Sequence, residues 1–309
     1  MEYFVAKTSG RKHRRIAARV AAAALTAALV GTGTSAVAAD SPSPVAPSAD
    51  NAAQQPAAAA TAAAATVSSA LYGIDKAGKS WGYTQNGTGG FEARDSNSDD
   101  DWSDIKDMFQ VNNGTDSATD GLWARDYSGS LYYLPWEVQS TRIGGGWNIY
   151  NKLVSAGNFG GAGAGDLLAR DSGGTLYIYL GLGTGKLTGR YKVGAGWNAY
   201  NQIAGNGDLS GDGKSDLVAR DKAGVLWLYK GTGNYKAPFA SRTKIGAGWN
   251  TYNLLVSTGD LDYDGKADLI ARDTTGALYR YSGTGNAASP YKGRVKIGAS
   301  GWNTYRLLF

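Results

Sequence analysis

From residue 70 onward, short runs of apolar and aromatic residues alternate with clusters of Gly, Asp, Asn and Ser, and the alternation itself repeats. In the fullest copy, residues 252–256, 267–272, 277–281 and 291–297 each carry the period-two apolar pattern of a strand, which gives four strands per unit. An Asp-x-x-Gly turn joins the second strand to the third, at Asp75–Gly78, Asp126–Gly129, Asp171–Gly174, Asp221–Gly224 and Asp273–Gly276. Asp at the first position caps the turn and Gly at the fourth accepts a positive φ, so these aspartates are explained by hairpin geometry before any chemistry is invoked. The tryptophan of a Trp-Asn-x-Tyr element follows each turn, at Trp102, Trp147, Trp197, Trp249 and Trp302.

The repeat length of 45 to 53 residues, built from short strands, is that of propeller blades, whose sheets bury their faces only when neighbours stack on them. The first copy starts at its second strand, residues 70–74, and the last ends on a first strand, residues 303–309. The expected fold is therefore an all-β propeller of five four-stranded blades, closed by the C-terminal strand joining the N-terminal blade, which removes open sheet edges.

The residues before this region divide in two. Lys7, Arg11, Lys12, Arg14, Arg15 and Arg19 precede and enter an Ala/Leu/Val run from Ile16 to Val30, and Ala36-Val37-Ala38 offers a cleavage site, so residues 1–39 read as an export signal. General secretion is favoured over twin-arginine export, because the residues after Arg14-Arg15 fit the latter poorly. The apolar run is too short and alanine-rich for membrane insertion. Residues 40–69, rich in Ala, Pro and Ser, read as a disordered linker, leaving residues 70–309 for the propeller. The expected location is extracellular, free or held at the cell wall.

Removing the signal changes the charge. It holds six of the 31 basic groups and one of the 26 acidic ones, leaving 25 of each, so a nucleic-acid partner is not indicated. The chain has no cysteine and its one histidine, His13, lies in the signal, which excludes Ser-His-Asp and Cys-His nucleophile systems and disulfides from the mature chain.

Between the first and second strands of two copies lies the most chemical motif. Asp260, Asp262, Asp264 and Asp268 stand at positions one, three, five and nine of a loop, with the Lys266 carbonyl at seven and Gly265 for the sharp turn. A hard cation taking six to eight oxygens suits this set, which predicts Ca2+. Asp208, Ser210, Asp212, Lys214 and Asp216 repeat the spacing with serine at the third position, and the loss of one carboxylate predicts the weaker affinity there. Two other copies have decayed: residues 157–166 keep only Asn158 and Asp166, and residues 112–120 keep Asp116 and Asp120 in a slipped register, so the first is expected to be metal-free.

These two loops resemble the calcium loops of FG-GAP/VCBS repeats, found in integrin α-subunit propellers and in secreted bacterial proteins. The resemblance implies a propeller with calcium between strands of a blade and no single activity. A second resemblance lies in Ile245–Leu254 and Ile297–Tyr305, which are similar to the Ile-Gly-x-Gly-Trp repeats of tachylectin-2-like lectins; these recognise N-acetylated sugars between blades. It implies carbohydrate contact at Trp147, Asn148, Trp197, Asn198, Trp249, Asn250, Trp302 and Asn303, while the same rings also suit packing between blades.

A carboxylate-based glycosidase would need a pair such as one drawn from Asp99, Asp100, Asp101, Asp104 and Asp107, but runs of adjacent aspartates are ordinarily solvated. Gly181–Lys186 lacks the spacing of a phosphate loop. Asn86-Gly87-Thr88 and Asn113-Gly114-Thr115 fit a glycosylation acceptor pattern only. The expectation is a secreted, noncatalytic, calcium-stabilised binding module for carbohydrate, the alternative being a scaffold for another exported protein.

Overall fold

A computed structural model of the chain describes residues 68–96, 101–114, 119–136 and 138–309. The expected export signal, and the expected linker up to residue 67, lie outside the described residues, as do Asp99, Asp100, Thr115 and Asp116.

Among the described residues, twenty strands form five four-stranded antiparallel sheets. In chain order the first three are β1 (Leu71–Asp75), β2 (Ser80–Tyr83) and β3 (Asp95–Ser96). Four complete blades follow. They are β4 (Ile105–Val111), β5 (Gly121–Asp126), β6 (Leu131–Pro135) and β7 (Thr141–Gly144); β8 (Tyr150–Ser155), β9 (Leu167–Asp171), β10 (Leu176–Gly181) and β11 (Leu187–Gly194); β12 (Tyr200–Ala204), β13 (Leu217–Asp221), β14 (Leu226–Tyr229) and β15 (Thr243–Gly246); and β16 (Tyr252–Gly259), β17 (Asp268–Asp273), β18 (Leu278–Tyr281) and β19 (Val295–Gly298). The last strand, β20 (Tyr305–Leu308), pairs with β1, so the fifth sheet runs β20-β1-β2-β3 and the ring closes as the chain ends require. First strands of adjacent blades pack on one another, β4 on β8 and β12 on β16, which places them around the axis.

Two strand starts differ from the sequence expectation by more than one residue. The fourth strand of the 252–298 blade starts at Val295 rather than Tyr291, because the segment after β18 folds into a bend tied by Thr284 N–H to Pro290 O (3.0 Å) before the strand resumes. The strand expected from residue 303 starts at Tyr305, because Trp302–Thr304 form a 3-10 turn. The same turn occurs at Trp147–Ile149, Trp197–Ala199 and Trp249–Thr251, and each is entered from a left-handed glycine, such as Gly248 at φ 87°. The first copy departs from the motif: Trp102 is followed by Ser103, Asp104 and Ile105, and Ile105 takes the place of the tyrosine.

Blades are fastened by two repeated devices. Each Asp-x-x-Gly turn offers its glycine carbonyl to the tryptophan N–H of the next blade, from Gly78 to Trp102 (2.8 Å) through Gly224 to Trp249 (3.0 Å) and Gly276 to Trp302 (3.2 Å). A Cβ at Gly224 would lie 2.6 Å from Asn250 Nδ2, so the close approach, as well as φ 82°, demands glycine there.

The second device is an arginine clasp. Arg125, Arg170, Arg220 and Arg272 on the second strands each donate from Nη1 to the carbonyls of the next blade's Trp and Tyr, for example Arg170 to Trp197 O (2.9 Å) and Tyr200 O (2.6 Å). Their Nε groups are held by Asp107, Asn151, Asn201 and Asn253. At the closure β1 has Ile74 in the arginine position, yet the clasp survives. Arg306 of β20, standing where the others have asparagine, donates to Ile105 O and Trp102 O, both at 2.6 Å.

Candidate functional site

In the loop at residues 260–268, ligand atoms of Asp260, Asp262 and Asp268 lie within 4.8 Å of one another, the one such acidic group among the described residues. Asp260 accepts backbone N–H groups from Asp264 (3.1 Å) and Gly265 (2.7 Å), and Asp264 accepts that of Lys266 (3.1 Å). Asp262 turns toward Ser282 Oγ (2.9 Å) and Arg280 (3.3 Å), while its Oδ1 is buried with no partner. Asp264 also pairs with Lys292 (3.1 Å) and Lys266 (3.7 Å).

The loop at residues 208–216 curls in the same sense. Asp208 gathers the N–H groups of Ser210, Gly211, Asp212 and Gly213, and Asp212 accepts that of Lys214 (3.1 Å). No ion pair is formed by its carboxylates among the described residues.

The ninth position has a structural job in every copy that keeps it. Asp216 binds Leu209 and Ser210 N–H and reaches the end of β14 through Gly231 N–H (2.9 Å). Asp268 does the same with Leu261 and Gly283, and Asp166 with Phe159, Gly160 and Gly181. Asp166 is therefore retained in a loop that has lost its other carboxylates. In the slipped copy, Asp120 is held by Asn113 N–H (3.1 Å) and side chain (2.9 Å).

Burial raises the proton affinity of these aspartates, to about 6 at Asp216 and Asp268 and to about 7 at Asp166, and it also pushes Asp260 up. A carboxylate in low dielectric gains most from an opposite charge, so at the first two loops a bound cation would offset the cost of ionisation. The oxygen-only donor set and the unpartnered Asp262 Oδ1 fit a calcium ion.

Trp147, Trp197, Trp249 and Trp302 are buried, with 3, 6, 7 and 9 % of their surface exposed. Each indole lies against a third-strand tyrosine of its own blade, as Trp147 on Tyr179 (4.8 Å between centroids), Trp249 on Tyr281 (4.6 Å) and, in the closing blade, Trp302 on Tyr83 of β2 (4.4 Å). Asn148, Asn198 and Asn303 donate to the carbonyls of Tyr127, Ser172 and Thr274 in the preceding turn, and Asn250 lies against Gly224. These boxes fasten blades.

What lies beside them is a polar cluster built four times. Arg94, Arg190, Arg242 and Arg294 cover Trp81, Tyr177, Trp227 and Tyr279 at 3.9 to 4.6 Å, and each also donates to a first-strand tyrosine hydroxyl, on Tyr305, Tyr150, Tyr200 and Tyr252. Those hydroxyls meet a second tyrosine each, on Tyr83, Tyr179, Tyr229 and Tyr281, at 2.5 to 2.6 Å. The turn aspartate completes the set: Trp81 Nε1 donates to Asp75 (3.0 Å) and Trp227 Nε1 to Asp221 (2.9 Å). In the β4–β7 blade Ile105 and Leu134 replace the tyrosine pair. The arginines were missed from sequence, although Arg190, Arg242 and Arg294 each stand four residues before the glycine that ends a Lys-[Val/Ile]-Gly run.

Two of the glycosidase candidates are otherwise engaged, while Asp99 and Asp100 lie outside the described residues. Asp107 is paired with Arg125, and Asp101 caps Ser103 N–H (2.9 Å).

The strand pairing makes the chain a five-bladed β-propeller. Residues 208–271, spanning both complete loops, match the FG-GAP-like repeat family. No curated protein sequence matches the chain. Among solved structures it is similar to the BP39L lectin from Burkholderia pseudomallei (14% identity, TM-score 0.46, covering 77% of this chain and 72% of the lectin). A lectin from Agrocybe aegerita that recognises non-reducing terminal N-acetylglucosamine is similar at 16% identity (TM-score 0.42, 74% of this chain, 64% of that one). Regucalcin from Agrobacterium tumefaciens, a calcium-binding protein, is similar at 13% (TM-score 0.39, 78% and 75%). At these scores no function is transferred, and the architecture rests on the chain's own strand pairing.

Among the described residues no helix is long and apolar enough to cross a membrane.

Proposed function

We propose that the chain is an exported, noncatalytic, calcium-stabilised binding module that takes carbohydrate, an N-acetylated or cell-wall glycan, at polar clusters repeated on its blades. The observation that carries this reading is the fourfold cluster of guanidinium, paired tyrosine hydroxyls, aromatic ring and aspartate. Such a set offers donors and acceptors at fixed spacing to a ligand dense in hydroxyls. Repetition around the ring suits a polymer with a repeating unit, because weak sites on one rigid body act together.

Asp208, Ser210, Asp212 and Asp216, and Asp260, Asp262, Asp264 and Asp268, with the carbonyls of Lys214 and Lys266, would hold the two calcium ions. Calcium supplies positive charge that joins loop to strand, and the protein residues set the spacing. The absence of cysteine, the confinement of histidine to His13 and the engagement of Asp107 by Arg125 support a noncatalytic role.

Titrating the full chain with chitin oligosaccharides and with peptidoglycan fragments, by calorimetry in calcium, tests the proposal. Saturable binding, lost when Arg242 and Arg294 are changed to alanine in a chain that still melts cooperatively, supports it. Absence of binding to either glycan turns the search to an exported protein ligand.

A further inference from the structure

The two complete loops differ in more than one ligand. Position three is Asp262 in one and Ser210 in the other. The third-strand residue facing it also differs, because Arg280 pairs with Ile270 across the sheet as Leu228 pairs with Val218 and Ile178 with Leu168. Arg280 is thus an arginine in a register position that is aliphatic in the two preceding blades. It is 9 % exposed, its Nη2 lies 3.3 Å from Asp262 Oδ2, and its Nε and Nη1 are buried with no partner. Room for the guanidinium is left by Gly89 of the neighbouring blade, where a Cβ would come within 1.1 Å of Nη1. A second cation follows the same division: Lys292 pairs with Asp264, and its counterpart beside the other loop is Ala240.

The extra carboxylate therefore comes with an extra buried cation. Charge count alone predicts tighter calcium binding at residues 260–268. However, Asp262 is already directed at a guanidinium that cannot lose its proton, and a divalent ion entering there meets a fixed positive charge in a poorly solvated site.

We propose that Arg280 is a built-in counter-cation which weakens calcium binding at residues 260–268, so that the loop with fewer carboxylates, 208–216, is the tighter of the two. The proposal rests on the calcium reading of both loops. It assigns Arg280 two jobs: it holds Asp262 in place when calcium is scarce, and it sets the calcium concentration at which this loop fills. The ring would then load its two loops at separate concentrations rather than together.

The test is calorimetric titration of the full chain with calcium alone. Asp212→Ala removes the 208–216 loop so that the other is read by itself, and Asp264→Ala does the converse. In the Asp212→Ala background, Arg280→Leu is expected to tighten binding by at least about tenfold, the effect of one charge roughly 6 Å from a divalent ion even at the dielectric of water. Arg280→Lys is expected to leave binding within a few-fold of the parent. The pair Asp262→Ser with Arg280→Leu copies the constellation of the other loop and is expected to approach its affinity, which guards against a single variant that fails to fold. Unchanged or weaker binding in a cooperatively melting Arg280→Leu chain overturns the proposal, as does a parent in which residues 260–268 bind more tightly than 208–216. Failure of the parent to bind calcium at either loop instead refutes the calcium reading, and the proposal with it.

Discussion

Arg306 should be the residue on which ring closure most depends. It carries two hydrogen bonds of 2.6 Å from β20 to the carbonyls of Trp102 and Ile105 in the next blade, replacing the clasp that Ile74 cannot make. Arg306→Ala removes both and leaves two backbone acceptors at a blade junction beside buried Trp102 and Ile105. Hydrogen bonds from a charged donor contribute about 1.5–3 kcal/mol each, and partial access of water to the freed carbonyls reduces the sum, so the expected loss is about 3–4 kcal/mol. Chemical denaturation followed by tryptophan fluorescence reads it directly. The exchange of Ile74→Arg with Arg306→Asn transplants the arrangement of Arg170 with Asn151 and should recover at least half of the loss. Less than about 0.5 kcal/mol lost on Arg306→Ala, or no recovery in the exchange, would refute the idea that a guanidinium between first strands closes the ring.

Three further outcomes follow from the geometry. Asp264→Ala should lower the melting temperature in calcium and hardly in chelator, since its ion pairs with Lys266 and Lys292 are exposed while a filled site adds about 2–4 kcal/mol at a hundred- to thousandfold excess of metal over its Kd; equal drops in both media would show that the loop takes no calcium. Trp249→Ala should cost about 3–5 kcal/mol, measured by denaturation, because the indole is 7 % exposed and fills a blade junction, and a cost under 1 kcal/mol would show that it is not a wedge. Asp166, raised to about 7 in the folded chain by burial against an ordinary value near 4, favours folding fully below about pH 4, and that contribution is lost as pH rises through 7; it amounts to at most about 4 kcal/mol. In chelator, the parent should therefore lose more stability than Asp166→Asn between pH 4 and 8, and parallel profiles would contradict the assignment.

The architecture was legible because its signals are local. Asp-x-x-Gly fixes each hairpin, and the incomplete first and last copies, ending at β1 and β20, leave one way to close the ring. The loops were legible for the same reason, since position one to position nine is a single stretch of chain. The partners of those loops were not. Arg280 and Lys292 lie 18 and 28 residues beyond Asp262 and Asp264, and the register that brings them back is set by strand pairing, so the affinity order read from carboxylate count omits the cation beside it. The same limit hid Arg306: its target carbonyls are about 200 residues earlier, and a surface-like Tyr-Arg-Leu-Leu run gives no sign of them. The tryptophans were visible as a repeat, but whether a repeated indole faces a ligand or a neighbouring blade depends on burial that spacing does not encode.

Binding of the full chain to a glycan array carrying chitin and peptidoglycan fragments, in calcium and again in chelator, tests the central claim most directly. The account predicts binding to N-acetylated glycans that free N-acetylglucosamine competes away, that weakens in chelator as the loops loosen, and that falls when Arg190, Arg242 and Arg294 are replaced by alanine. A chain shown by its melting transition to be folded in calcium, yet silent on every glycan, would contradict it.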